Sequence, residues 1–421
     1  MKTILFLLLS AMLCFSADQA RFSGDAGNTG VYQDSILKPP LKLKWRYFTS
    51  GGWKASPVVF KGRVFCCDRW GQVFALDGGT GRLLWKKYYY TAYGDNAIPL
   101  AYGDYLYYFG SAYAALYCVR QDNGEEKWKF NDIGVNTIYR GKYSPVAYDG
   151  RVYVATRTVS TTFRVICFNA VTGALLWSRE YTSADAIGSG EVVVCTLTSP
   201  PSVIGFYNAG SNNWCPGAGK TFALTADSGR VLWEDSSVFC KRLTVYDTLV
   251  YTSSCTAGTY TDVALNVLTG KRVRQGNLNA YDNGPSAIDS RYIYTKPYCS
   301  IPGFYSRSTW QSIGGCDWNA ITSNPKWETG CGSIALANGY GYFGIGSGGG
   351  YAPVAGGRGR GGLGQALFAF EIPKDSTVTS LKIVWTFKTA SNFCSTPVIA
   401  DGKLYATTNG EGAIYCFEND R

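Results

Sequence analysis

The chain contains 421 residues with 40 Lys or Arg, 30 Asp or Glu and no His, which gives a formal net charge of +10. Its 46% hydrophobic and 15% aromatic content excludes an intrinsically disordered chain, because disordered segments lack the apolar residues that build a core. The absence of His excludes Ser-His-Asp and Cys-His catalysis and every His-ligated zinc, haem or iron site.

The chain begins with the features of an export signal. Lys2 precedes the apolar run Ile4–Phe15, which is too short to span a bilayer. Small residues place a cleavage after Ser16 or Ala17, and the bulky Leu13 disfavours lipidation of Cys14. We therefore expect residues 1–17 to be a signal peptide. We expect residues 18–421 to form a single domain that is secreted or periplasmic and has no membrane span.

A Thr-Gly-x-x-x-Trp phrase recurs at intervals of 40 to 58 residues. The clear copies end at Trp85, Trp128, Trp177 and Trp233, weaker copies end at Arg274, Trp327 and Trp385, and Trp45 begins the series. Each interval holds four short β-prone runs separated by Gly or Asp-Gly turns. A repeat of this length and strand content is typical of a β-propeller blade.

The two ends of the chain complement each other. The last unit, Thr396–Phe417, stops before a fourth strand, and Leu41–Trp45 is a fourth strand without the first three. Pairing them closes a ring and removes the exposed sheet edges. The eight anchors therefore predict an all-β, eight-bladed propeller of four-stranded antiparallel blades, in which the N-terminal strand completes the last blade.

The repeats, the "VFALD" and "LYC" strands and the leader Phe22–Gly30 resemble the PQQ-like (pyrroloquinoline-quinone-type) β-propeller repeat family. That family includes quinoprotein alcohol dehydrogenases and BamB. The resemblance implies that the repeat tryptophans dock between blades: Trp45, Trp85, Trp128, Trp177, Trp233, Trp327 and Trp385. Arg274 departs from this pattern and puts its blade contact in doubt. A shared propeller does not determine function.

The cysteines fall into two groups. Cys118, Cys167 and Cys416 occupy a third-strand position that holds Ala in other repeats, which predicts small buried side chains. Others lie near strand ends or in insertions, where export would favour disulfides. The candidate pairs are Cys195 with Cys215, Cys240 with Cys255, Cys299 with Cys316 and, as an open alternative, Cys331 with Cys394.

Cys66 and Cys67 are adjacent, as in the vicinal disulfide that packs against the cofactor of quinoprotein alcohol dehydrogenases. Here they fall inside a regular second strand, which favours two core thiols. The calcium and quinone ligands of those enzymes cannot be mapped onto matching positions, so we assign no catalytic, cofactor-binding or metal-binding residue.

Extra length is predicted between second and third strands of blades 3, 4, 6 and 7, at Thr156–Thr162, Thr198–Lys220, Cys299–Cys316 and Ser347–Gln365. Such connections emerge on one face, and binding residues commonly lie on loops held by a rigid scaffold. The candidate partner-binding residues on these loops are Trp214, Tyr305, Arg307, Trp310, Tyr351, Arg358 and Arg360. A cover for the channel mouth is the alternative role of these loops.

Together these features predict an exported, non-catalytic scaffold that binds a protein or an extracellular glycan through its long-loop face. Association with the cell envelope stays open. Nucleic acid is disfavoured, because the positive charge is spread over the chain and export removes the contact. The alternative is a minimal PQQ- and calcium-dependent quinoprotein that oxidises an alcohol or a sugar.

Overall fold

A computed structural model describes the chain from residue 19 to residue 420 with several gaps. The described ranges are 19–21, 23–49, 55–68, 71–88, 98–110, 115–133, 144–159, 161–210, 218–236, 243–256, 259–278, 286–296, 302–316, 332–345, 366–375, 377–389, 391–393, 395–408 and 411–420. Within these ranges the regular structure is almost entirely β-strand.

The strands form eight antiparallel sheets, which we number as blades 1 to 8 in chain order. Blade 1 consists of Val58–Phe60, Arg63–Cys67, Gln72–Asp77 and Leu83–Tyr88, and blade 2 of Leu100–Tyr102, Tyr105–Gly110, Ala115–Arg120 and Glu126–Phe130. Blade 3 consists of Val146–Tyr148, Arg151–Val159, Thr162–Asn169 and Leu175–Thr182, and blade 4 of Ile187–Cys195, Ser202–Ala209, Ala218–Thr225 and Val231–Asp235.

Blade 5 consists of Thr244–Tyr246, Leu249–Thr256, Thr259–Asn266 and Arg272–Gly276, and blade 6 of Ala287–Ile288, Tyr292–Thr295, Gly303–Ser306 and Ser312–Cys316. Blade 7 consists of Ala335–Ala337, Tyr340–Ile345, Ala366–Glu371 and Ile383–Lys388, and blade 8 of Val398–Ala400, Lys403–Thr407, Ala413–Asn419 and Leu41–Phe48. Two short strands are added: Gln19–Ala20 pairs with the first strand of blade 2, and Ser380–Leu381 pairs in parallel with the fourth strand of blade 6.

The ring closes as the sequence predicts. The N-terminal strand Leu41–Phe48 pairs antiparallel with Ala413–Asn419, with Leu41 opposite Asn419 and Phe48 opposite Ala413. The eight-bladed propeller and its closure by the N-terminal strand are therefore confirmed.

First strands lie innermost and fourth strands lie at the rim. The first strands of neighbouring blades contact one another around the centre, whereas each fourth strand is bonded within its blade only to the third. The apolar side chains between blades form the core; one cluster joins Tyr107 and Cys118 of blade 2 to Val152 and Phe168 of blade 3. The inner strands therefore define a central channel.

The two faces of the ring differ. The connections between first and second strands have two residues in six of the eight blades, and those between third and fourth strands have five residues in six blades. We call this side the turn face. The opposite side, the long-connection face, carries the connections between blades and between second and third strands. These reach 18 residues between Cys316 and Ala335 and 20 residues between Ile345 and Ala366.

The position of the extra length was predicted correctly in blades 3 and 7 and wrongly in blades 4 and 6. In blade 3 the extra residues lengthen a hairpin, in which Val159 pairs with Thr162. In blade 4 the range 198–220 contains the second strand, Ser202–Ala209, because Cys195 ends the first strand. In blade 6 the range 299–316 contains the third and fourth strands.

Six of the predicted tryptophans lie between blades. Their indole Nε1 atoms donate hydrogen bonds to carbonyl oxygens of the next blade: Trp45 to Gly78 (3.1 Å), Trp85 to Gln121 (2.9 Å), Trp128 to Ala170 (3.0 Å), Trp177 to Ala226 (3.2 Å), Trp233 to Val267 (2.8 Å) and Trp385 to Leu41 (2.7 Å). In the first five contacts the indole ring also packs on the glycine of the next blade's Thr-Gly-x-x-x-Trp phrase, which we call the motif glycine. A Cβ on that glycine would lie 2.4–2.7 Å from the ring. The motif glycine is therefore required by packing as well as by its positive φ.

The junction of blades 5 and 6 exchanges the two motif residues. Arg274 occupies the tryptophan position, and Trp310, with a φ of 64°, occupies the glycine position of the following turn. The Arg274 guanidinium lies 5.9 Å from the Trp310 ring centroid and donates to the carbonyl oxygens of Arg307 and Ser308. A cation–π contact between Arg274 of blade 5 and Trp310 of blade 6 thus takes the place of tryptophan on glycine at this junction.

Blade 6 has glycine at its own tryptophan position. Gly314 lies so close to the Thr379 carbonyl oxygen that a Cβ would be 1.7 Å from it, and the next residue, Gly315, pairs with Ser380. Strand pairing therefore replaces tryptophan docking between blades 6 and 7. Trp327, the predicted anchor, lies outside the described residues.

Candidate functional site

The central channel is crossed by the chain's own N-terminal segment, Ser23–Leu37, which we call the channel segment. Its carbonyl oxygens accept hydrogen bonds from the inner strands of four consecutive blades. The donors and acceptors are Val194 N to Ala26 O (3.2 Å), Val245 N to Gly27 O (2.7 Å), Ile288 N to Thr29 O (3.0 Å) and Leu336 N to Gly30 O (2.8 Å). One bond per blade holds the segment across blades 4 to 7.

Both ends of this crossing lie toward the turn face. Gln19, just before the channel segment, pairs with Tyr102 at the end of the first strand of blade 2. At the other end, the Asp34 carboxylate accepts from Gly402 N (2.7 Å), in the turn that follows the first strand of blade 8. The channel segment therefore lies across the turn-face end of the channel.

Local sequence explains the shape of the segment. The Asp25 carboxylate accepts hydrogen bonds from the backbone N–H of Gly27 and of Thr29, both at 3.0 Å, and from the Thr29 hydroxyl. Such Asx-type bonds fold the backbone into a tight turn. At Gly27 a Cβ would stand 2.6 Å from the Val245 carbonyl oxygen, so glycine permits this close approach to blade 5.

A buried carboxylate fixes the channel segment to blades 4 and 5. Asn28 Nδ2 donates to Glu191 Oε1 (3.2 Å) and to the Leu243 carbonyl oxygen (3.1 Å), and Leu243 N donates to Glu191 Oε2 (3.1 Å). Glu191 is 2% exposed and Asn28 is fully buried. These bonds satisfy a charge that would otherwise be costly to bury, so Glu191 acts in positioning.

A buried arginine lies in the same region. Arg21, 2% exposed, donates from Nη1 to the Ala26 carbonyl oxygen (3.1 Å). Burial raises the pKa of the Asp25 carboxyl above its usual range, while the hydrogen bonds from Thr29 and the positive charge of Arg21 act against that rise.

Hydroxyl side chains link the starts of the inner strands, on the long-connection side of the channel segment. Ser333 N donates to Thr396 Oγ1 (2.8 Å), and Thr396 N donates to Ser56 Oγ (3.0 Å), which joins blades 7, 8 and 1. Thr244 Oγ1 donates to the Ser286 carbonyl oxygen (3.1 Å), which joins blades 5 and 6. These hydroxyl residues are buried, so the described role of their hydrogen bonds is to hold neighbouring inner strands together.

Three predicted partner-binding residues are not on the long-connection face, and that prediction is wrong for them. Tyr305 lies in the third strand of blade 6 and is 8% exposed, as is Trp310 in the following turn. Arg307 lies in the same turn, on the turn face, and pairs with Asp247 (3.7 Å). The reason is that Gly303–Ser306 is a strand rather than part of a loop.

The other four candidates lie outside the described residues: Trp214, Tyr351, Arg358 and Arg360. The strand bounds place Trp214 in the connection between second and third strands of blade 4, and the other three in the equivalent connection of blade 7. Their assignment to the long-connection face stays a prediction.

The structure describes one thiol of each of two predicted disulfides. Cys195 and Cys316 are buried and free, whereas their predicted partners, Cys215 and Cys299, lie outside the described residues, so the two pairings stay predictions. Each thiol lies at the end of a strand and packs in a core cluster between blades. Cys215, Cys240, Cys299, Cys331 and Cys394 lie outside the described residues, and Cys255 lies in the strand Leu249–Thr256.

Cys118, Cys167 and Cys416 are buried and free, as predicted for the third-strand position. They lie opposite Tyr107, Tyr153 and Tyr405, whose hydroxyls donate to the same carbonyl oxygens that accept from Trp128, Trp177 and Trp45. The small thiol leaves room for this double contact between blades.

The adjacent cysteines do not fit a quinone site of the kind that the resemblance implied. Cys66 and Cys67 are free thiols in the strand Arg63–Cys67, where they lie opposite Phe74 and Val73 of the neighbouring strand. Successive side chains of a strand point to opposite faces, so a disulfide between them would break the pairing. Burial and the neighbouring Asp68 charge raise the pKa of the Cys67 thiol. Among the described residues, no three His, Cys, Asp or Glu side chains are close enough to hold a metal ion.

The channel residues do not stand out in the sequence. Asn28 and Glu191 are separated by 163 positions, and neither is part of the recurring Thr-Gly-x-x-x-Trp phrase. The leader Phe22–Gly30 does contain an unusual run of Gly, Asp and Asn before the first blade. The contacts of this run with the blades are, however, mainly through backbone atoms. In the part of the chain that the structure covers, no helix is long and apolar enough to cross a membrane.

Comparisons with known proteins agree with the repeats. Residues 40–193 match the family described as outer membrane protein assembly factor BamB. The chain is 26% identical over 279 residues to tetrathionate hydrolase of Acidithiobacillus ferrooxidans, covering 63% of this chain and 52% of that protein. It is 25% identical over 154 residues to quinoprotein alcohol dehydrogenase PedH of Pseudomonas putida, covering 33% and 25%. The chain thus spans about half or less of the length of these relatives.

Solved structures show the same fold at low identity. Quinohemoprotein alcohol dehydrogenase of Comamonas testosteroni superposes with a TM-score of 0.64 at 12% identity, over 94% of this chain and 80% of that one. A europium-containing methanol dehydrogenase superposes with a TM-score of 0.65 at 12% identity, over 95% and 98%. In its repeats, its closure and these matches, the chain is similar to the PQQ-like β-propeller repeat family, which includes quinoprotein alcohol dehydrogenases and BamB.

Proposed function

We propose that this chain is an exported, non-catalytic scaffold that holds a protein or an extracellular glycan against its long-connection face. The observation that carries the proposal is the channel segment, which lies across the turn-face end of the channel and occupies backbone donors of blades 4 to 7. A ligand that enters the channel region therefore approaches from the long-connection side.

The distribution of chain length supports the same face. The turn face consists mostly of two- and five-residue turns, which leave little to vary, whereas the opposite face carries the 18- and 20-residue connections. Loops on a rigid scaffold are where binding residues concentrate. The polar groups described in the channel are engaged in positioning: Glu191 and Asn28 hold blades 4 and 5, and Asp25 holds its own turn.

The test is capture of a partner by the purified mature protein from an extract of the source cell envelope and medium. Trp214→Ala combined with Tyr351→Ala removes one aromatic ring from each of two long connections, and we expect it to abolish capture. The matched control is Val171→Ser combined with Leu268→Ser, which changes two turn-face side chains that are 51% and 59% exposed.

The control pair should capture as the wild type does, and both pairs should melt within a few degrees of it, because exposed substitutions change stability little. Capture that persists in the Trp214/Tyr351 variant, or that is lost in the turn-face control, contradicts the proposal.

A further inference from the structure

The fourth strands at the rim of the propeller carry an uneven charge. In blades 7, 8, 1 and 2, which are contiguous around the ring, they hold eight Lys or Arg and one Glu. In blades 3, 4, 5 and 6 they hold three Lys or Arg and three Asp or Glu. One half of the rim is therefore a basic belt, which we call the basic half-rim.

Most of these cations are available to a partner. Lys42 of blade 8, Lys86 of blade 1 and Lys127 of blade 2 are exposed, and none of them forms an ion pair with a described residue. Lys44 is the exception, because it pairs with Glu418 at 2.6 Å. The belt therefore keeps its positive potential at the surface.

Apolar side chains stand between these cations. Leu43 is 39% exposed, Phe48 is 49% exposed and Leu83 is 36% exposed, all on the rim strands of blades 8 and 1. The Arg46 guanidinium lies 4.9 Å from the Phe48 ring centroid, which leaves the other ring face to solvent. A partner that suits this surface carries regular negative charge together with groups that pack on apolar side chains.

Protection of sheet edges alone does not explain the pattern. Charged residues on edge strands, especially Lys, prevent sheets from pairing edge to edge. All eight blades present a rim strand, so that need is the same around the ring, yet the rim strand of blade 4 has two acidic residues and no cation. The concentration of cations on one half requires a second cause.

The shape of the half-rim selects the partner. Four blades cover half of a closed ring, so their rim strands face outward in different directions. A flat bilayer can touch one or two of them at once, and an added peptide strand can follow one blade edge only. We propose that the basic half-rim binds a flexible anionic polysaccharide, which passes from blade to blade across the rim strands. This surface is distinct from the long-connection face and does not depend on the function proposed above.

The test measures binding of fluorescently labelled alginate, with neutral dextran, poly-glutamate, single-stranded poly-deoxythymidine and phosphatidylglycerol vesicles as comparison probes. The variant Lys42→Gln, Lys86→Gln and Lys127→Gln removes one cation from each of three adjacent blades. The matched control, Arg230→Gln, Lys271→Gln and Arg272→Gln, removes three exposed cations from blades 4 and 5.

We expect salt-sensitive binding of alginate and none of dextran. The half-rim variant should bind alginate about fivefold more weakly, since each exposed charge contact is weak, and the control should lose less than about twofold. The proposal is overturned if wild type does not bind alginate, or if the two variants lose affinity equally. Tighter binding of poly-glutamate, poly-deoxythymidine or vesicles than of alginate, at equal charge concentration, would overturn the class of partner.

Discussion

The contact between Trp233 and Gly270 is the sharpest test of how the blades are held together. Trp233 is 8% exposed, its Nε1 donates to the Val267 carbonyl oxygen, and its ring fills the space where a Cβ on Gly270 would come within 2.4 Å. Trp233→Ala should lower the free energy of unfolding by roughly 3–5 kcal/mol, because it empties a buried aromatic site.

Gly270→Ala should cost energy for two separate reasons. Its φ of 68° is unfavourable for a residue with a Cβ, by about 1 kcal/mol, and the clash with the indole adds roughly 1–3 kcal/mol. Gly103→Ala isolates the first cost, since Gly103 has a φ of 60° and nothing within 4 Å of its Cβ position.

The measurement is a double-mutant cycle by urea unfolding, followed by far-ultraviolet circular dichroism. In the Trp233→Ala background the clash disappears, so Gly270→Ala should cost only about 1 kcal/mol there, whereas Gly103→Ala should cost the same in both backgrounds. Additive effects for Trp233 and Gly270 would refute the claim that the motif glycine exists to receive the ring.

Three further predictions concern the junction of blades 5 and 6, the channel segment and the buried third-strand cysteines. Arg274→Trp and Trp310→Gly should each destabilise the protein, and the double variant, which restores the motif at blades 5 and 6, should regain most of the loss in thermal melting; equal or additive losses would contradict the exchange. Burial raises the pKa of Asp25, so the wild type should lose stability relative to Asp25→Asn as the pH rises above about 4, the ordinary pKa of an aspartate, and a constant difference in melting temperature would contradict this. Burial raises the pKa of the Cys118, Cys167 and Cys416 thiols to about 12, so iodoacetamide at pH 8 should modify them only after unfolding; labelling of the native protein, detected by peptide mass spectrometry, would be inconsistent with it.

Much of the fold could be predicted because each blade repeats the same local solution. A glycine turn, a small third-strand residue and a tryptophan recur together, so Trp85, Trp128, Trp177 and Trp233 locate their blades without tertiary information. The closure by Leu41–Phe48 followed from counting strands at the two ends.

Blade 6 could not be placed in this way because the residues of its motif have changed type. Trp310 stands where the repeat has glycine, and Gly314 stands where it has tryptophan, so a search for tryptophan assigned Trp310 to a loop and Trp327 to the anchor. The compensation is visible only when Arg274 of the neighbouring blade is seen against the Trp310 ring.

The channel escaped prediction for a different reason. The channel segment is held mainly by backbone carbonyl oxygens, which any residue provides, so no side-chain pattern reveals the crossing. Two of the side chains that do contribute, Asn28 and Glu191, are 163 positions apart in the sequence. The candidate site therefore required the folded ring, whereas the blades did not.

Titration of the purified protein with PQQ and calcium distinguishes a binding scaffold from a quinone enzyme. The quinone absorbance reports binding, and dye reduction with a panel of alcohols and sugars reports turnover in the same samples. We expect no saturable change in absorbance and no dye reduction, since Cys66 and Cys67 are strand thiols. Saturable binding with turnover would contradict it and would assign the protein to the quinoprotein dehydrogenases.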